Sequence, residues 1–167
     1  SINLGNEQPS LIKHVRENGG DTWKTDEQYR LDDEILYRLI VSVPSNVVEL
    51  ATFTLLDLPQ TGITDSTSCT VTYGDTADAC VTPLDAGKFT VDAIPADTSN
   101  GQGFALNLTA DGKAAVAGKY IQIVYEAHMN AKAVIAGSGY GNTARLIYSK
   151  YIGNTGSSPY TISDEAR

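Results

Sequence analysis

Between residues 35 and 43 apolar side chains fall on every second position. Ile35, Tyr37, Leu39, Val41 and Val43 share one parity, and Arg38 and Ser42 take the other. That alternation is the period of a β-strand with one buried face. Pro44 ends the run, because proline has no N–H for a ladder. The same period predicts strands at 10–15, 47–58, 68–73, 88–94, 104–108, 120–129 and 142–149, and a short one at 29–31. Gly, Pro, Asn and Asp separate them. Asn18-Gly19-Gly20-Asp21 and Pro59-Gln60-Thr61-Gly62 read as turns, and the glycine-rich 137–142 as a hairpin loop. The alanine-rich 110–117 admits one short helical turn. The pattern therefore predicts an all-β sandwich of about 8–10 strands. It would occupy residues 1–152, with the Gly- and Ser-rich 153–167 as a linker or an added edge strand.

Three polar residues break the pattern in the same way. Lys13 shares its parity with Leu11 and Val15, Asp57 with Phe53 and Leu55, and Asn142 with Ala144, Leu146 and Tyr148. Each points to the face that should be buried. A lone buried charge costs several kcal/mol unless it is paired or neutralised. Two readings follow. In the first the three side chains lie at strand ends: Lys13 reaches water, Asp57 starts the Leu58-Pro59 turn, and Asn142 shapes the turn after Gly141. In the second they meet in the core. Burial lowers a lysine pKa and raises that of an aspartate. A neutral amine held against a carboxamide can attack it, with the acid shuttling protons and ammonia leaving. The product is an intramolecular isopeptide bond, formed once per molecule.

Composition narrows the field. Hydrophobic residues make up 41% of 167, enough for a core, and 12 basic against 20 acidic residues give a net charge of −8. With no basic cluster, nucleic acid and anionic membranes are not expected partners. No apolar run is long enough to span a bilayer. Cys69 and Cys80 flank a strand, a Gly-Asp turn and a return, which suits a disulfide in an oxidising compartment; two free thiols are the alternative. Only two histidines are present, His14 and His128, both off the apolar faces, and no metal or cofactor is expected. Asp26, Asp32 and Asp33 lack an EF-hand spacing and read as a solvated loop. The sequence Gly137 to Asn142 lacks the Lys-Ser/Thr of a phosphate loop. No constellation for turnover of an external substrate is visible, so an enzyme is not expected.

Four segments occur in order: PSLIKHV, YRLDDEILYRLIVSVP, FTLLDLPQTGIT and VYEAHMNAKAVIAGSGYGNTARLIYS. Together they resemble the isopeptide-forming "D2" domain of Gram-positive sortase-assembled pilins, an immunoglobulin-like, CnaA-type sandwich. The likeness covers most of residues 9–150. It implies that Lys13 is the bond-forming lysine and Asp57 the catalytic acid. Asn142, at the start of the last matched strand, is the implied partner. The family often has asparagine directly after Tyr-Ser, where this chain has Lys150. The two positions are eight residues apart, about 26 Å along a strand, so only one can lie beside Lys13. Asn154 is a slipped-register candidate.

The resemblance implies a structural domain of a pilin or adhesin, outside the cell, anchored to the wall or on a pilus. Other pilin subunits, joined by sortase, would be its partners. The chain has no LPxTG signal and no VYPK-type motif, which implies one domain of a longer protein or a subunit type without them. The alternative is a sandwich with an uncross-linked core whose loops at 61–67, 75–85 and 96–103 bind a host glycan or matrix protein.

Overall fold

The computed structural model describes residues 8–17, 22–25, 34–129, 142–148 and 160–166. Among these residues eleven strands and one α-helix follow in order. They are β1 (Ser10–Glu17), β2 (Glu34–Ser42), β3 (Phe53–Pro59), β4 (Ile63–Asp65), β5 (Thr70–Gly74), β6 (Thr82–Pro83), β7 (Phe89–Ile94), β8 (Gly103–Leu108), α1 (Ala110–Val116), β9 (Tyr120–Met129), β10 (Asn142–Tyr148) and β11 (Tyr160–Ala166). The expected strand at 29–31, the 18–21 turn, the 137–141 loop, the 152/153 boundary, Asp26, Asp32, Asp33, Lys150 and Asn154 lie outside the described residues.

Two antiparallel sheets face each other. One runs β1-β2-β9-β5-β6, with β4 also paired to β9; the other runs β11-β10-β3-β8-β7. Alternation decides which side chains lie between them. In β2 the buried set is Ile35, Tyr37, Leu39 and Val41, joined by Ile40 on the other parity. In β9 it is Ile121, Ile123, Tyr125, Ala127 and Met129. From the opposite sheet come Phe53, Leu55, Phe104, Leu106, Ala144 and Leu146. This is the sandwich that period-two sequences build, with immunoglobulin-like architecture. The helix α1 forms in the alanine-rich run, with the Thr109 hydroxyl accepting from the Gly112 N–H as its N-cap.

The structure departs from the sequence expectation in three places. The strand expected over 47–58 begins only at Phe53; Val47–Glu49 is a 3₁₀ turn that drops Val47 into the core. The stretch at 61–67 is not a free loop. Gly62, at φ 100°, turns the chain so that Ile63–Asp65 can pair with β9.

The third departure is the cysteines: both are free thiols and no disulfide joins them. The hairpin is offset from the one expected. Thr72 pairs with Pro83 and Tyr73 with Thr82, a register that would set position 86 opposite Cys69. Cys80 Sγ lies 3.5 Å from the Tyr120 carbonyl, and Tyr120 is paired with Gly74. Cys69 precedes Thr70 at the other end of the strand, about 13 Å away. A disulfide needs Cα atoms about 4.4–6.8 Å apart.

Candidate functional site

Among the described residues four polar or charged side chains are fully enclosed by the sandwich: Lys13, Asp57 and Asn142 at 0% exposure and Asp65 at 1%. Each occupies the inward parity of its strand. Lys13 lies between Leu11 and Val15 on β1, and Asp57 between Leu55 and Pro59 on β3. Asp65 follows Ile63 on β4, and Asn142 precedes Ala144 on β10. The ladder sets Ala144 opposite Asp57 and Asn142 opposite Pro59, so the asparagine and the aspartate are one inward position apart on neighbouring strands. Asp65 reaches the group through β9, where it pairs with Ala127.

The contacts form a chain. Lys13 Nζ is ion-paired with Asp57 Oδ1. It also donates to the Tyr125 hydroxyl at 2.7 Å. Asn142 Nδ2 donates to Asp65 Oδ1 at 3.4 Å. Asp57 and Asp65 interact as neighbouring carboxyls. The ammonium sits 4.6 Å from the Tyr37 ring centroid and 5.4 Å from that of Tyr125. Tyr37 stacks on Tyr125, and Phe104 meets Tyr125 edge-on at 4.8 Å. A cation among aromatic faces keeps some stabilisation that water would otherwise supply.

Electrostatics follow from burial. Loss of water lowers the Lys13 pKa, and Asp57, Asp65 and Asp164 act against that effect. Asp65 is pushed well above the usual carboxylate range, first by burial and then by the neighbouring Asp57 carboxyl. Lys13 and Asn142 pull it back. Burial likewise raises the Tyr125 phenol, with Asp57 adding to it. The Cys69 thiol, near both aspartates, rises to about 12, mainly through burial. One lysine against two carboxylates would leave a net negative charge in a dry core. A proton held by Asp65 removes it.

Sequence reasoning identified Lys13, Asp57 and Asn142 as inward-pointing, and all three are buried. Lys13 and Asp57 touch directly; Asn142 joins them through Asp65. Asp65 and Tyr125 were missed. Tyr125 looked like one more member of an apolar stripe. Asp65 had a signal, the shared parity with Ile63, but three residues are too few for periodicity to outweigh the flanking turn residues. His14 bonds to Arg38 and His128 is exposed, both away from this site. Glu34, Glu126 and His128 bring ligand-capable atoms within 4.8 Å of one another on the outer face of β2 and β9, where all three are exposed. Exposed acidic groups commonly gather this way without an ion, and the three read as a solvated cross-strand cluster.

Neither known family patterns nor curated protein sequences match this chain. Solved structures do. A C-terminal fragment of the major pilin of Streptococcus agalactiae matches with a TM-score of 0.70 at 17% identity, covering 96% of this chain and 55% of that one. The pilus backbone protein RrgB of Streptococcus pneumoniae matches at 0.61 and 24% identity, covering 86% and 53%. The major pilin BcpA of Bacillus cereus matches at 0.66 and 15%, covering 96% and 39%. The chain thus spans about half the length of the first two. The sandwich described above has the fold of domains found in Gram-positive pilus backbone subunits.

Proposed function

We propose that this chain is a structural domain of a pilus or related surface fibre, stabilised by an isopeptide bond between Lys13 and Asn142 that Asp57 helps to form. The observation that carries the reading is a fully buried lysine amine in contact with Asp57 and linked through Asp65 to a fully buried asparagine. A core has no packing reason to enclose these four groups together, since well-packed apolar residues would be as stable or more so. The arrangement fits a reaction. Burial favours the neutral amine, and Lys13 and Asn142 are both fully buried and joined through the two aspartates, so that proximity would assist the attack. Asp57 accepts a proton from Lys13 Nζ, Nζ bonds to Asn142 Cγ, and the Cγ–Nδ2 bond breaks as a proton from Nζ is delivered to Nδ2, which leaves as ammonia.

The pilin domains that share the fold support the surface-fibre part of the reading. Its partners would be neighbouring pilin subunits joined by sortase, and its location outside the cell, on a pilus or the wall. Intact-mass spectrometry tests the bond. The mature chain should be one ammonia lighter than its sequence, and Lys13→Ala should restore the full mass. A full-mass wild-type chain sinks the proposal.

A further inference from the structure

The reaction above needs one proton acceptor for the amine and one donor for the departing nitrogen. A single carboxylate could serve both in turn. This core holds two carboxyls, and they contact opposite ends of the reaction. Asp57 Oδ1 is on the nucleophile, Lys13 Nζ. Asp65 Oδ1 is on the leaving nitrogen, Asn142 Nδ2. The second oxygen of each, Asp57 Oδ2 and Asp65 Oδ2, is buried without a hydrogen-bond partner among the described residues. Two acceptor-only oxygens in a dry core are costly, and one shared proton relieves both. Asp65 is also held rigidly. Its N–H donates to the Gln102 carbonyl at 2.9 Å, and its own carbonyl accepts from Gln102 Nε2 at 3.2 Å.

Resting on the isopeptide reading, we propose that Asp65 is the catalytic acid that protonates the leaving group, with Asp57 as base and the two carboxyls sharing one proton. The resting state is Lys13 ammonium, Asp57 carboxylate and Asp65 carboxylic acid. Lys13 passes a proton to Asp57 and its lone pair attacks Asn142 Cγ. Asp65 gives its proton to Nδ2, which departs as ammonia with the electron pair of the Cγ–Nδ2 bond. Asp57 hands its proton to Asp65 and takes the remaining surplus proton from Nζ. The product is a neutral amide between two protonated carboxyls. The proton that Lys13 brought as an ammonium is kept by the pair, so charge balances without solvent.

This assignment makes maturation pH-dependent in one direction. The reactive state contains a protonated Asp65, so the rate falls as pH rises through the Asp65 pKa. The groups facing it are Lys13 on β1, Asp57 on β3, Tyr125 on β9 and Cys69 before β5, with Asn142 as its neutral neighbour and Asp164 on β11 acting on Lys13. The tyrosine and the thiol both have raised pKa values, and loss of the Lys13 proton, which burial eases, would free the nucleophile and raise the rate, so a fall on the alkaline side reports Asp65.

The test uses chain recovered unfolded from inclusion bodies, refolded across pH 5–9, quenched in acid and weighed. Wild type should lose ammonia with an alkaline fall in rate. Asp65→Asn keeps size and neutrality but cannot deliver a proton, and should mature about a hundredfold more slowly, without the alkaline limb. An unchanged rate in Asp65→Asn overturns the assignment. So does a slower rate that keeps the wild-type pH profile, which would make Asp65 only a support for Asn142. Should Asp65→Asn fail to refold, the wild-type profile decides: a flat alkaline range overturns the proposal. A wild type that folds and never loses ammonia fails the isopeptide reading first, and this one with it.

Discussion

Lys13 is stable in this core only because of what surrounds it. Its ammonium has lost its water, and its compensation comes from Asp57, the Tyr125 hydroxyl and two aromatic faces. Removing one member of a buried pair leaves the other uncompensated, which costs about 3–5 kcal/mol. Asp57→Ala keeps an unpaired buried ammonium and forms no bond, so it should lose at least that much stability in urea unfolding relative to the wild type, and the chain should keep its full mass. Lys13→Met tests the opposite imbalance, leaving two buried carboxyls and no cation. Asp65 has a folded pKa raised above its unfolded value. A raised group contributes stability below the unfolded pKa, and that contribution is lost as pH rises through the folded one. Lys13 is the strongest opposing influence on that shift, so its loss steepens the dependence. The urea midpoint of Lys13→Met should fall between pH 5 and pH 8; a flat profile would contradict a protonated Asp65. The thiols give a separate check. Unreduced chain should show two free thiols after unfolding, and with its pKa near 12 Cys69 should react slowly in the folded state at pH 8. Period-two arithmetic revealed Lys13, Asp57 and Asn142, because each shares a strand with several apolar neighbours. It could not reveal that Asp65 joins them, since which strands meet is decided by pairing between distant segments.

At the scale of elements, long strands were legible and short ones were not. β2 carries four apolar residues on one parity and β9 five, and their limits were close to those read from sequence. β4 and β6 have three and two residues, and exist because β9 and β5 offer them open edges. The true start of β3 at Phe53 was hidden by Val47, which is apolar yet buried from a 3₁₀ turn. The placement of Asp57 depends on such a local detail. A Cβ on Gly103, at the start of β8, would lie 1.9 Å from the Asp57 carbonyl oxygen and 3.1 Å from Pro59 Cδ. Backbone cannot yield as a flexible side chain can. Gly103→Ala should destabilise the fold by about 2 kcal/mol or more and slow the loss of ammonia by displacing Asp57. Gly87→Ala is the matched control, because nothing lies within 4 Å of its Cβ position. Equal stability of the two variants would show that β3 and β8 are not in close register at Asp57.

For the whole molecule, the consequence of the bond lies in where it ties the chain. β1 is an edge strand of one sheet, and β10 is an inner strand of the other. The backbone N–H of Lys13 already donates to Asp164 Oδ2 of β11, at 2.8 Å, so the two sheets meet along this side. A bond from Lys13 to Asn142 would cross the core and join the first described strand to the penultimate one. It would close a span of 129 residues (142 − 13). Chain-entropy arguments put the stabilisation from closing so long a loop at about 5 kcal/mol. The mechanical effect is larger in kind. Under tension applied through the two ends, load passes from β1 through the bond into β10, and the span between them bears none. In single-molecule pulling, wild-type chain should give no extension from that span. Lys13→Ala should release it, adding roughly 45 nm at about 3.5 Å per residue. A wild-type trace showing the same added length as Lys13→Ala would mean that the core is held by packing and an ion pair alone. That outcome would remove the force-bearing role even if the fold is pilin-like.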